Sequence, residues 1–185
     1  MADLSLTPTS YLVLGLVQML EPCTSYDLKR LVGVSIGNFW SFPHSQLYAE
    51  PVRLAEHGLL SEEQEHHGRR RRLYRLTPQG DAALRHWLTV PPDGVGELRD
   101  LGLLKLFFGS LAATEDVVTI AEAKRDLHDG HLRALEKLHQ EVAETATPEQ
   151  LATMELGRRW NKVAADFWAD VATNPPGRGT TDPAT

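Results

Sequence analysis

A mainly α-helical fold in two parts, with one two-stranded β-hairpin inserted in the first, is what three features of this 185-residue chain predict. Three amphipathic segments lie before residue 58. Two extended segments then flank a turn loaded with arginine, and residues 98–173 are patterned at helical period.

The first helix is expected from Thr7-Pro8-Thr9-Ser10, where Pro8 sits at a position whose N–H has no partner anyway. It runs to about Leu20 and is apolar on most sides (Tyr11, Leu12, Leu14, Leu16, Val17, Met19), which makes it central to a core. Pro22 ends it. Thr24 with Asp27 three residues on resembles a capping box and opens a helix through Leu28 and Leu31 to Val32. A loop from Gly33 to Ser41 holds Gly37 and Asn38-Phe39-Trp40. The third helix is expected from Pro43 to His57, with Leu47, Leu54 and Ala55 inward and Gly58 as its stop. Pro51 falls inside it and removes the bond to the Leu47 carbonyl; either the helix kinks there or it begins later. Leu59–Gln64 and Arg71–Leu76 are extended around a turn at His66–Arg70. Thr77-Pro78 starts a helix through Ala82, Leu84, Trp87 and Leu88.

Domain boundaries follow: residues 1–90 as an ααα-ββ-α domain, 91–97 as a Pro/Gly linker, 98–173 as a helical domain, and 174–185 as a polar disordered tail. The second domain divides into Leu98–Leu111, Glu115 to about Glu144 (with Leu127, Leu132, Leu135, Leu138 and Val142) and Pro148–Ala172. In the last helix Leu156, Trp160, Val163, Ala164, Phe167, Trp168 and Val171 form one stripe. Three such helices make a thin core, whose usual solution is a second copy of the chain. The stripe residues Leu156, Trp160, Val163, Phe167 and Val171 are therefore the dimerisation candidates.

The net charge of −6 is unevenly placed. Residues 1–90 hold 9 Lys/Arg and 9 Asp/Glu, residues 91–185 hold 10 and 16, and five of the first nine cations lie between Arg69 and Arg75. Such a patch attracts phosphates locally, since screening confines each charge to roughly 8 Å at physiological salt. Cys23 is the single cysteine, so no intrachain disulfide forms. With no signal peptide and no long apolar run, the expectation is a cytoplasmic protein without membrane contact.

A helix with polar residues at its N-terminus, followed by a basic hairpin, is the layout of a winged helix-turn-helix. Ser41, His44, Ser45, Gln46 and Tyr48 sit at or near that N-terminus, the end that reads bases and offers free N–H groups to phosphate. Gln46 suits the major-groove edge of adenine, and His44, Ser45 and Tyr48 suit phosphate or base. Arg69, Arg70, Arg71 and Arg72 on the hairpin turn suit phosphate or a narrow minor groove, and four adjacent guanidiniums repel one another unless an anion joins them. His128 and His131 at i, i+3 lack a third metal ligand at suitable spacing, so no metal site is expected. Cys23 precedes a helix N-terminus, a place that can lower a thiol pKa, although a plain small residue is the simpler reading. No Gly-rich phosphate loop, nucleophile elbow or carboxylate pair supports an enzyme, and no cofactor is called for.

Short blocks along the chain resemble the PadR family of bacterial transcriptional regulators. They are Tyr11-Leu12-Val13-Leu14-Gly15-Leu16, Ser25-Tyr26-Asp27-Leu28, Phe39-Trp40, His44-Ser45-Gln46-Leu47-Tyr48, Arg53-Leu54, Gly58-Leu59-Leu60 and Tyr74-Arg75-Leu76-Thr77-Pro78-Gln79-Gly80. Arg99-Asp100 with Leu103-Leu104-Lys105-Leu106-Phe107-Phe108 is similar to the start of the helical domain in the longer, phenolic-acid-sensor type. The sequence departs at Pro51, where Leu is commoner, and at Ser25, where Gly is. The resemblance implies a homodimeric repressor on an inverted-repeat operator in double-stranded DNA, released by a small effector that is a phenolic acid in the founding members. Ser25 and Tyr26 join the DNA-contacting set, and Trp40, Phe107, Phe108, Trp160 and Trp168 are candidates for an aromatic effector site. The rival readings are a redox-controlled regulator acting through Cys23 and a winged-helix protein-interaction module without specific DNA binding.

Overall fold

The first helix, α1 (Pro8–Leu20), begins as its sequence requires. The Thr7 hydroxyl accepts from the Ser10 N–H while the Ser10 side chain accepts from the Thr7 N–H. The computed structural model describes residues 5–34, 36, 40, 43–65, 71–94 and 96–177. After α1 come α2 (Ser25–Val34), α3 (Gln46–Glu56), β1 (Leu60–Gln64), β2 (Arg72–Leu76) and α4 (Pro78–Thr89). Then follow α5 (Leu101–Phe107), a 3-10 turn at Gly109–Leu111, α6 (Thr114–Val142) and α7 (Pro148–Thr173). The chain divides into two compact units at residues 95/96. It is mainly helical with one antiparallel hairpin, as the sequence predicts.

In the first unit Val13, Leu14, Leu16 and Val17 of α1 are buried among Leu28, Val32, Leu47, Leu54, Leu59, Leu60, Tyr74 and Leu84. Every other element of the unit supplies at least one of these partners, so α1 is the central helix. Met19, expected inward, is exposed. Trp87 and Leu88 are exposed as well, although the Trp87 ring stacks on Tyr11 at 4.8 Å and 6°. The capping box at Thr24 holds: the Thr24 N–H and hydroxyl both donate to Asp27 Oδ2, at 3.0 and 2.7 Å, and the Asp27 N–H returns to Thr24 Oγ1.

Gly58 closes α3 at φ +74°, a conformation that L side chains rarely adopt. Its N–H reaches the Ala55 carbonyl at 3.0 Å and the next N–H, of Leu59, reaches Leu54 at 2.9 Å, a Schellman termination that drops Leu59 into the core. Register then pairs Leu60 with Leu76 and Glu62 with Tyr74. Thr77 turns the chain into α4 by donating to the Gly58 carbonyl at 2.7 Å and accepting from the Gly80 N–H at 3.1 Å. Gly80 lies so close to β1 that a Cβ there would stand 2.1 Å from the Leu59 carbonyl oxygen.

The second unit is built on the α6–α7 antiparallel hairpin. Val117 and Ala121 of α6 are buried with Trp168 and Val171 of α7, and Leu106, Ile120 and Ala172 pack on them. Midway, His128 Nδ1 lies 2.9 Å from Asn161 Oδ1, while the Asn161 amide donates to the Gly157 carbonyl at 2.9 Å. With the amide nitrogen committed, Oδ1 accepts and the imidazole donates from Nδ1. The helix expected over Leu98–Leu111 is shorter. Asp100 caps α5 by accepting from the Leu103 N–H and pairs with Lys124 of α6 at 2.6 Å, so residues before 101 stay extended. Residues 178–185 of the expected tail lie outside the described residues.

Gly80→Ala is expected to destabilise the first unit by on the order of 3 kcal/mol, because the added methyl meets backbone rather than a movable side chain. A urea midpoint equal to that of the parent chain would refute this packing of α4 on β1.

Candidate nucleic-acid interface

The exposed face of α3 is set by where the helix begins. The sequence puts its start at Pro43, but regular helix begins at Gln46. The residues before it form a tight turn, with Gln46 N–H donating to Pro43, Leu47 to His44 and Tyr48 to Ser45, at 3.0–3.2 Å. Pro51 thus falls in the second turn, and its ring is buried in the core beside Leu47 and Leu54. The later start resolves the Pro51 alternatives only in part, since the Leu47 carbonyl still lacks the N–H that a non-proline residue would offer. His44, Ser45, Gln46 and Tyr48 are all exposed, whereas Leu47 and Leu54 are buried.

The base of the hairpin is fastened by Cys23. Its N–H donates to the Tyr74 carbonyl at 3.2 Å and its carbonyl accepts the Tyr74 N–H at 2.8 Å, so residue 23 adds a single bridge to β2. That bridge sets the start of α2 beside the hairpin. Between them Thr24, Ser25, Tyr26, Tyr48, Val52, Arg71, Arg72 and Tyr74 line an open groove of about 330 Å³. Five residues singled out in the sequence therefore share one groove: Ser25, Tyr26, Tyr48, Arg71 and Arg72. His44, Ser45 and Gln46 continue the exposed surface of α3 without lining it. Arg69 and Arg70, with Ser41 and the turn residues His66 and His67, lie outside the described residues.

A second network orients α3. Arg53 donates from Nε and Nη2 to the two carboxylate oxygens of Glu50, at 3.0 and 2.6 Å, and from Nη2 to the buried Ser10 hydroxyl on α1 at 3.0 Å. Burial pushes the Glu50 carboxyl up, yet the hydrogen bonds from Arg53 and Ser10 leave it below its ordinary value. On α2 the Asp27 carboxyl is lowered chiefly by the hydrogen bonds from Thr24.

Cys23 is the plain small residue of the two readings, not the activated thiol. Desolvation, then the charges of Asp27 and Glu21, raise its thiol to about 11 instead of lowering it. The residue is buried, and the N-terminal field of α2 is already taken up by Asp27.

In the second unit the apolar stripe of α7 divides in two. Trp168 and Val171 are buried in a cluster with Val117 and Ala121 of α6. Leu156, Trp160, Val163 and Phe167, spaced i, i+4, i+7, i+11, are exposed. Phe107, Phe108 and Trp40 are exposed too, the two phenyl rings meeting edge to face at 5.1 Å. Among the described residues no three His, Cys, Asp or Glu are grouped to hold a metal, and no helix is long and apolar enough to cross a membrane.

Residues 13–86 match the sequence pattern of the Transcriptional regulator PadR-like family. The chain is 24% identical over 149 residues to the negative transcriptional regulator PadR of Bacillus subtilis (strain 168), covering 80% of this chain and 81% of that protein. The crystal structure of Bacillus subtilis PadR in complex with operator DNA superposes with a TM-score of 0.79 at 20% identity, over 89% of this chain and 96% of that one. The complex of the same regulator with p-coumaric acid gives 0.72 at 18% identity, over 91% and 97%. These likenesses establish the winged-helix fold with its C-terminal helical region.

At pH 8 the Cys23 thiol of the folded chain should react with an aromatic disulfide reagent at least about 100-fold more slowly than after unfolding, the ratio implied by two units of pKa. Because the folded value exceeds the unfolded one, this stabilisation is complete below pH 9.0 and is lost as pH rises towards 11. Equal rates for folded and unfolded chain would restore the redox reading.

Proposed function

Because residues 13–86 carry a PadR-like domain, we propose that this chain is a transcriptional regulator, a homodimeric, ligand-responsive repressor of an inverted-repeat operator. One observation carries the DNA-binding part. The groove joining the start of α2, α3 and the base of the hairpin gathers hydroxyl and guanidinium groups beside the exposed His44, Ser45 and Gln46. That is an arrangement in which hairpin arginines and tyrosine hydroxyls position the backbone while the helix N-terminus reads base edges. The Bacillus subtilis relative, crystallised with operator DNA, supports the same use of the fold.

Dimerisation is assigned to α7. Four exposed apolar residues at alternating four- and three-residue steps form a coiled-coil seam, and a second copy related by a two-fold axis presents the matching seam. Two copies also bring two α3 helices to one DNA, which is what an inverted repeat demands. For the effector, the relative's p-coumaric acid complex supports a planar aromatic acid, and Phe107 and Phe108, exposed and meeting edge to face, are the aromatic candidates within the second unit.

The test is fluorescence anisotropy of the purified chain with DNA from its own upstream region and with a scrambled duplex, across a salt series. Gln46→Ala should bring the two duplexes closer in affinity. Arg71→Ala should weaken both alike and flatten the dependence of log K on log salt by about 0.9 per lost phosphate contact. Absence of binding to either duplex at low salt would favour the protein-interaction module.

Val163→Asp should convert the dimer to monomer in light scattering and lower operator affinity by at least about 10-fold, since each half-site then binds alone. A dimer that survives this substitution would move the interface elsewhere.

A further inference from the structure

The hairpin is less basic than its arginine run implies. Residues 60–76 contain five arginines but also three glutamates, Glu62, Glu63 and Glu65, nearly all the acid being on the strand opposite the arginines. Register turns that composition into pairs. The Glu65 N–H donates to the Arg71 carbonyl at 3.0 Å, and the two side chains meet in a two-pronged contact, Nε to Oε2 at 3.0 Å and Nη2 to Oε1 at 3.1 Å. Arg72 reaches Glu62 at 3.4 Å. The Asp27 carboxylate at the start of α2 adds to the negative field at Arg71. Both arginines that line the groove are thus already engaged by carboxylates.

We propose that Glu65 and Glu62 are built-in competitors for the DNA backbone, holding the guanidinium edges that a phosphate would otherwise take and so setting how strongly the hairpin binds DNA of any sequence. The proposal rests on the DNA-binding reading above. A carboxylate and a phosphate use the same paired N–H donors of arginine. For a phosphate to seat at Arg71, either the Glu65 carboxylate gives up its two bonds or it remains as a second anion beside the phosphate. Both outcomes weaken binding without regard to sequence, because the phosphates carry none.

The opposite role, carboxylates that hold the guanidiniums ready for DNA, is the weaker effect. Arg71 and Arg72 are more than half exposed, and pairs in such surroundings order a side chain only slightly. A fixed negative charge within about 8 Å of a phosphate acts at full strength at low salt. Damping the hairpin also leaves the bases read by α3 a larger share of the total affinity.

The experiment uses the full chain, the upstream and scrambled duplexes and a salt series, comparing the parent with Glu65→Gln, Glu62→Gln and Glu63→Gln. Glu63 sits opposite Leu73 in the register and is exposed, so its variant makes the same change of charge without freeing Arg71 or Arg72. Glu65→Gln should tighten both duplexes about 3–10-fold at low salt and steepen the salt dependence by up to one phosphate contact. Glu62→Gln should do the same more weakly, and Glu63→Gln should change affinity less than about twofold. Weaker binding by Glu65→Gln would make the carboxylate a positioning group and overturn the proposal, as would equal tightening by Glu63→Gln. If the parent binds DNA and Glu65→Gln binds no tighter, this proposal alone fails. If no version binds either duplex, the DNA-binding reading fails with it.

Discussion

The groove depends on one backbone pairing, the exchange of two hydrogen bonds between Cys23 and Tyr74. Through Tyr74 the hairpin is anchored in the α1 core, and through Cys23 the same strand meets the turn that starts α2. Two elements remote in sequence are thereby held within a side-chain length of each other, which lets Tyr26 and Ser25 face Arg71 and Arg72 across one groove. Buried backbone groups must pair, so this bridge has few alternatives once Cys23 and Tyr74 are enclosed. It also accounts for a small side chain at position 23: the residue is needed for its main chain, and its thiol is kept protonated as a by-product of enclosure.

Local signals in the sequence were reliable wherever the cause of structure is local. Thr7-Pro8, Thr24 with Asp27, Gly58 and Thr77-Pro78 mark real helix boundaries, because a cap or a positive φ is settled within four residues. Errors arose where a neighbour decides. The α5 helix is shortened by the Asp100–Lys124 pair, a partner 24 residues away. The beginning of α3 slid three residues because Pro43 through Ser45 make a turn bonded at shorter range than an α-helix. Periodicity marked the stripe on α7 but could not say that it has two sides, Trp168 and Val171 inward and Trp160, Val163 and Phe167 outward. Candidate DNA contacts were legible as residue types. The carboxylates engaging Arg71 and Arg72 were not, since strand register, not composition, decides which glutamate meets which arginine.

The same two-sidedness explains why the second unit reads as half of something. A hairpin of a 29-residue and a 26-residue helix encloses only a short row of apolar side chains, with His128 and Asn161 satisfying each other in the middle. Such a polar pair stabilises little by itself, but it fixes the register of α6 on α7, because a slip would bury the imidazole and the amide unpaired. Register is what makes the outer face usable. It places Leu156, Trp160, Val163 and Phe167 along one line of α7. Burying a side chain of this kind is worth about 1.5–3 kcal/mol, and two-fold symmetry doubles each contact. Four positions then weigh heavily against an association cost of about 4–15 kcal/mol. In the proposed dimer the inner polar pair and the outer apolar seam are therefore coupled: the first holds the helix in phase, and the second draws its advantage from that phase.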